Sequence, residues 1–88
     1  MNSFQLTIVT PMGKVLDEMV EGVSVPGGDG SFSVLAHHTP IASTLKKGII
    51  RVKKANEEKT FQIDSGIIEM NEQNLCVILS NHIEPANK

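Results

Sequence analysis

Apolar side chains along this chain recur at every second position far more often than at every third or fourth. Phe4, Leu6 and Ile8 alternate with Gln5, Thr7 and Val9, and the run stops at Thr10-Pro11-Met12-Gly13. That period marks a half-buried strand closed by a turn. Lys14 to Leu16 reads as a short strand. Met19 to Val25 sets Val23 and Val25 against Gly22 and Ser24, and Pro26-Gly27-Gly28-Asp29-Gly30 breaks it.

Ser31 to Leu35 alternates Phe32 and Val34 with small or polar neighbours, and Ile49-Ile50-Arg51-Val52 starts another strand after Lys47-Gly48. Lys53 to Lys59 is a charged hairpin tip, because Thr60-Phe61-Gln62-Ile63 returns to alternation beyond it. Ile67 to Met70 and Leu75 to Leu79 flank the polar connection Asn71-Glu72-Gln73-Asn74. No segment holds a helical period over three turns. Short strands spaced about 8–12 residues apart predict an all-β fold, a flattened sandwich or barrel of about ten short, mainly antiparallel strands.

At 88 residues there is room for one domain, expected over 1–81. The segment 82–88 is polar and interrupted by Pro85, so it is expected to fray as a tail. Cys76 is the sole cysteine, which leaves it without a disulfide partner. Its neighbours Leu75, Val77 and Ile78 make it a buried small hydrophobe in this reading.

Charge narrows the function classes. Eight Lys and Arg against ten Asp and Glu give a net charge of -2, which argues against a nucleic-acid binder that neutralises phosphates. No apolar run approaches the ~20 residues needed to cross a bilayer as a helix, and Met1-Asn2-Ser3 does not open a secretory signal. No direct lipid insertion is expected.

Four constellations invite a chemical reading. Gly27-Gly28-Asp29-Gly30 leads into a strand pattern and not a helix, and it places a carboxylate where a phosphate would sit, so it reads as a tight turn. His37 and His38 are adjacent on an extended chain, point to opposite sides, and have no third ligand at useful spacing. Ser31, His38 and Asp29 form a nucleophile, base and acid only on paper. Asp64-Ser65-Gly66 matches the Asp-Ser/Thr-Gly signature of aspartic proteases, whose two chains share one proton between paired aspartates. Gln62 interrupts the strand that should bury Asp64, and Ile67-Ile68-Glu69-Met70 continues as a strand. A dimeric protease is therefore the alternative reading and a turn the main one.

The order of the pieces carries more than any one of them. Val9-Thr10-Pro11 closes the first strand; Val25-Pro26-Gly27 precedes Asp29-Gly30; Val34-Leu35 precedes His38 and Pro40; Leu45-Lys46 precedes Gly48; and Gly66 precedes Glu69. This arrangement, running from about Phe4 to Asn81, resembles the N-terminal β-sandwich domain of the epsilon subunit of F-type ATP synthases. The resemblance implies a non-catalytic rotor subunit of the central stalk. Such a part links the gamma shaft to the c-ring, couples proton transport to ATP synthesis, and holds no cofactor or metal.

By similarity, Thr10, His38, Ile41 and Ser43 face the gamma subunit, whereas Asp29, Gly30 and Ser31 face the c-ring. Family members often carry an acidic residue where this chain has Ser31, and Pro-Gly where it has Ala36-His37. The resemblance also implies a C-terminal helical hairpin able to bind ATP and brake hydrolysis. Nothing after Ser80 has its length or Ala/Leu-rich pattern, so the hairpin is expected to be absent and ATP not to bind. Localisation is expected on the ATP-synthesising, cytoplasmic side of a bacterial inner membrane, with the stromal side of thylakoids as the alternative.

Overall fold

The computed structural model describes residues 3–86 and contains ten strands. They are β1 Phe4–Thr10, β2 Gly13–Val20, β3 Gly22–Gly27, β4 Gly30–Leu35, β5 Ile41–Leu45, β6 Gly48–Lys54, β7 Glu57–Ile63, β8 Gly66–Met70, β9 Leu75–Leu79 and β10 Ile83–Pro85. They form two five-stranded layers, β4-β3-β6-β7-β10 and β5-β8-β9-β1-β2. β1 and β9 run parallel; every other pair is antiparallel. The all-β sandwich expected from alternation is therefore the fold.

The period-two pattern becomes the core directly. Phe4, Leu6 and Ile8 of β1 face Ile68 and Met70 of β8, Cys76 and Ile78 of β9, and Val23, Val25, Ile50, Val52 and Ile63 of the other layer in one cluster. All are at most 2% exposed. The layers meet through the backbone at one corner, where Gly27 pairs with Leu45, Gly28 N–H donates to Thr44 O at 3.0 Å and Lys46 N–H to Pro26 O at 2.8 Å. On the far side a side-chain link takes over. Glu18 points inward from β2 and accepts from Lys54 Nζ at 2.8 Å and Lys59 Nζ at 3.1 Å across the β6–β7 hairpin. These two bonds, that from Lys54 first, hold the Glu18 carboxyl below its ordinary range.

Three local expectations fail for identifiable reasons. Lys14–Leu16 and Met19–Val25 are not separate strands: β2 runs unbroken from Gly13 to Val20 with a bulge opposite Ile8/Val9, and the chain bends at Glu21, whose N–H donates to Lys53 O at 2.8 Å. β5 is not announced by alternation, because Pro40 precedes it and Ala42, Ser43 and Thr44 give weak hydrophobic contrast. Nor does the tail fray over 83–85. Ile83 packs on the core, β10 pairs with β7, and Ala86 N–H donates to Thr60 O at 3.0 Å. Residues 1, 2, 87 and 88 of the expected domain and tail lie outside the described residues.

Candidate interaction surface

The Gly28-Asp29 turn, the His37-His38 pair and Asp64-Ser65 all lie between strands. Among the described residues no cluster of three or more His, Cys, Asp or Glu could hold a metal ion. His37 sits exposed at φ 63°, and its N–H donates to Asn74 Oδ1 at 2.7 Å. His38 Nδ1 lies 2.7 Å from Thr39 O; a carbonyl only accepts, so Nδ1 carries the proton. Asp64 is exposed on the bend between β7 and β8, far from the burial that would make two aspartates share a proton. Next to it, Ser65 O accepts from Ser80 Oγ, which stitches the bend to the end of β9. Cys76 is 1% exposed, and burial pushes its thiol up to about 12.

Asp29, Gly30 and Ser31 are all exposed at the β3–β4 turn. The turn is tight because Gly30 takes φ +135° and because a Cβ on Gly27 would lie 2.6 Å from Gly30 O and 2.7 Å from the Phe32 ring. His38, Ile41 and Ser43 gather where the chain crosses from β4 to β5: Ile41 is half-buried against the core, and Ser43 Oγ donates to Thr44 O at 3.1 Å. Thr10 is not with them. Its hydroxyl accepts from Met12 N–H at 3.1 Å and donates to Gly13 O at 3.3 Å, bracing the β1–β2 turn. The ladder Ile41–Met70–Cys76–Leu6 leaves Thr10 four residues further along β1, about 13 Å at strand rise.

A surface that simple alternation does not reveal lies on the outer face of β5-β8-β9-β1-β2. Ile67 neighbours Leu79, and Leu79 neighbours Val9; Val77 and Leu75 continue the patch along β9, with Met19 beyond Gln5. Ile67, Leu79 and Met19 are about half exposed at 49%, 48% and 49%. Ile67, Leu79 and Val9 form an unbroken apolar row, while Val77 lies between Glu69 and Thr7, and Gln5 separates Leu75 from Met19; an exposed apolar row of this kind on one sheet is a candidate contact site. Asp17 borders it, accepting from Lys14 Nζ at 2.9 Å and Thr7 Oγ1 at 3.2 Å; these bonds, led by that from Lys14, lower its carboxyl below the ordinary range. Beyond it Met12 stands 95% exposed at the tip of the β1–β2 turn. The signal is present in the sequence, as apolar residues on both parities of β8 and β9: Ile67 beside Ile68, and Val77 and Leu79 beside Ile78.

Comparison with known proteins gives the family. Residues 3–86 match the family described as ATP synthase, Delta/Epsilon chain, beta-sandwich domain. The ATP synthase epsilon chain of Campylobacter jejuni subsp. doylei is 36% identical over 74 residues, which is 83% of this chain and 57% of that one. The epsilon chain of Desulfitobacterium hafniense strain Y51 is 34% identical over 86 residues, 98% of this chain and 64% of that one. The chain thus spans a little over half the length of the curated relatives it matches. Among solved structures, a chain of the Euglena gracilis mitochondrial ATP synthase OSCP/F1/c-ring assembly superposes with a TM-score of 0.91 at 22% identity, over 97% of this chain and 54% of that one. A chain of the Tetrahymena thermophila central stalk and c-ring gives 0.82 at 15% identity.

Proposed function

The chain belongs to the ATP synthase delta/epsilon β-sandwich family, and from that premise we propose that it is a non-catalytic rotor subunit of the central stalk, seated between the gamma shaft and the c-ring. The observation that carries this reading is the apolar outer face around Ile67, Leu79 and Val9. A lone sandwich with a complete core has no use for it, whereas a part held between two others does.

In this reading the gamma subunit meets the outer face of β5-β8-β9-β1-β2 and the β4–β5 corner at His38, Ile41 and Ser43, with Thr10 bracing the far end of the same layer. The turn at Asp29, Gly30 and Ser31 meets the c-ring. Here Ser31 replaces an ionic contact with a neutral one. The domain handles no nucleotide; its contribution is shape, holding the shaft and ring at one relative orientation while the complex transports protons. The protein is peripheral, attached through its partners on the ATP-synthesising side of the membrane.

The test is stoichiometric complex formation on mixing the chain with gamma subunit. A one-to-one complex is the expected outcome, and failure to associate at micromolar concentrations overturns the reading. The protease alternative has its own assay, peptide cleavage abolished by Asp64→Asn, and the exposed position of Asp64 leads us to expect no cleavage in either protein.

A further inference from the structure

Each layer ends in two strands that pair along their length on one side only, and three of these four edges carry a feature that discourages further pairing. β2 presents Lys14, Asp17 and Glu18 and contains the bulge. β10 has three residues and ends on Pro85. β5 follows Pro40 directly, and its last residues are already bonded to β3. Charge, proline, bulges and shortness are the means by which native edges escape strand addition. β4 has none of them: it runs six residues, Gly30–Leu35, without a charge or a proline, and its register with β3 is unbroken.

Pro26 reveals which backbone groups of β4 are free. Proline has no N–H, and the Pro26 carbonyl accepts from Lys46 N–H on the β5 side, so Pro26 and Ser31 form a pair that exchanges no hydrogen bonds. Bonded and non-bonded pairs alternate along an antiparallel ladder, which makes Ser24 with Ser33 and Gly22 with Leu35 non-bonded as well. The 2.8 Å contact between the Ser24 and Ser33 hydroxyls agrees, because side chains come closest at such pairs. The N–H and C=O of Ser31 and Ser33, and the N–H of Leu35, therefore point away from the sheet. The Leu35 carbonyl is taken by His38 N–H at 3.2 Å.

We propose that the free edge of β4 beyond Ser31, at Ser33 and Leu35, takes up an extended segment of a partner polypeptide by strand addition, and that this partner is the gamma subunit; the second half rests on the function proposed above. A row of unpaired N–H and C=O groups recognises another extended backbone, and not a helix or a small anion. Charge sets the segment's character. From Gly30 to Leu45 the chain carries no Asp, Glu, Lys or Arg, so a charged side chain laid along Ser33 and Leu35 would be desolvated without a counter-ion. The incoming strand is accordingly uncharged, with an apolar residue where it meets Leu35, which is 60% exposed.

Ser33→Pro and Ser33→Ala separate the possibilities. Proline removes an N–H that β3 does not use and is tolerated at outward edge positions, whereas alanine loses the same hydroxyl contact and keeps the N–H. Calorimetric titration with gamma should give parent affinity for Ser33→Ala and at least tenfold weaker binding for Ser33→Pro. Amide exchange in the parent supplies a readout independent of either variant's folding: Ser33 and Leu35 should slow at least tenfold when gamma is added. If the parent binds gamma but these amides exchange as before and Ser33→Pro binds equally, strand addition is overturned and the rotor reading stands. If the parent does not bind gamma, the rotor reading itself fails and the assignment of gamma fails with it. Protection of the same amides that grows with the chain's own concentration, gamma being absent, would make a second copy the occupant and overturn that assignment.

Discussion

Ile67 and Ile68 are the same residue type at adjacent positions of one strand, and the sandwich gives them opposite roles. Ile68 is 0% exposed in the core, while Ile67 is 49% exposed on the outer face. Truncating each to alanine should separate stability from binding. Ile68→Ala loses a fully buried side chain and leaves a cavity, a cost of about 2–5 kcal/mol. For a domain this size that lowers the melting temperature by roughly 8–40 °C, a large share of the stability available. Ile67→Ala loses only the half already packed, about 1 kcal/mol against about 1.5–3 for complete burial, and the melt falls by about 4–8 °C. The half still in water is what a partner would cover. Losing it should weaken gamma binding by about 1 kcal/mol, roughly fivefold in Kd. Thermal melts of both variants, with calorimetric titration of Ile67→Ala into gamma, read both quantities. Equal melts for the two variants would refute the register of β8, and undiminished affinity in Ile67→Ala would remove the outer face from the contact.

Cys76 should resist alkylation at pH 8 in the folded protein and react only on unfolding, since burial raises its thiol to about 12; thiol titration with and without denaturant checks this. Glu18→Gln should destabilise the sandwich by about 1 kcal/mol at neutral pH. Because the folded-state carboxyl lies below its ordinary 4.5, that stabilisation is complete above about pH 5 and is lost as the pH falls through the lowered value. Parent and variant melts should therefore converge in acid; a difference that widens there would contradict the clasp. Gly66→Ala should cost about 1–3 kcal/mol, because its Cβ would stand 2.5 Å from the Leu79 carbonyl oxygen, and a melt unchanged within error would show that β9 can yield.

The layers of this fold are legible in the sequence because burial follows parity: the spacing of Phe4, Leu6 and Ile8 alone identifies them as core. Where both parities are apolar the same logic is silent. Nothing in Ile67-Ile68 says which isoleucine faces inward, so the doubled parity signals an apolar outer row without assigning its residues. β5 and β10 escape it for the complementary reason. Ala42, Ser43 and Thr44 are small, and Ile83-Glu84-Pro85 is short, so tertiary hydrogen bonds to β8 and β7 make these strands where local preference does not. The candidate residues His38, Ile41 and Ser43 come from family likeness, and the structure places them around one corner. Thr10's role in bracing the β1–β2 turn depends on hydrogen bonds that no local pattern encodes, and so does the parity that leaves Ser31 and Ser33 unpaired.

The single corner where the backbone ladder passes between layers, Gly27 with Leu45, has a mechanical consequence. Away from it, the two sheets could slide past one another without breaking a main-chain hydrogen bond of the ladder. What opposes sliding is the interlocking of side chains such as Phe4, Ile50 and Ile68, whose contacts weaken steeply with small displacement. Such a slab is stiff in shear for small strains and yields abruptly at larger ones, with the Gly27 corner as its pivot and the Glu18 clasp as its stop.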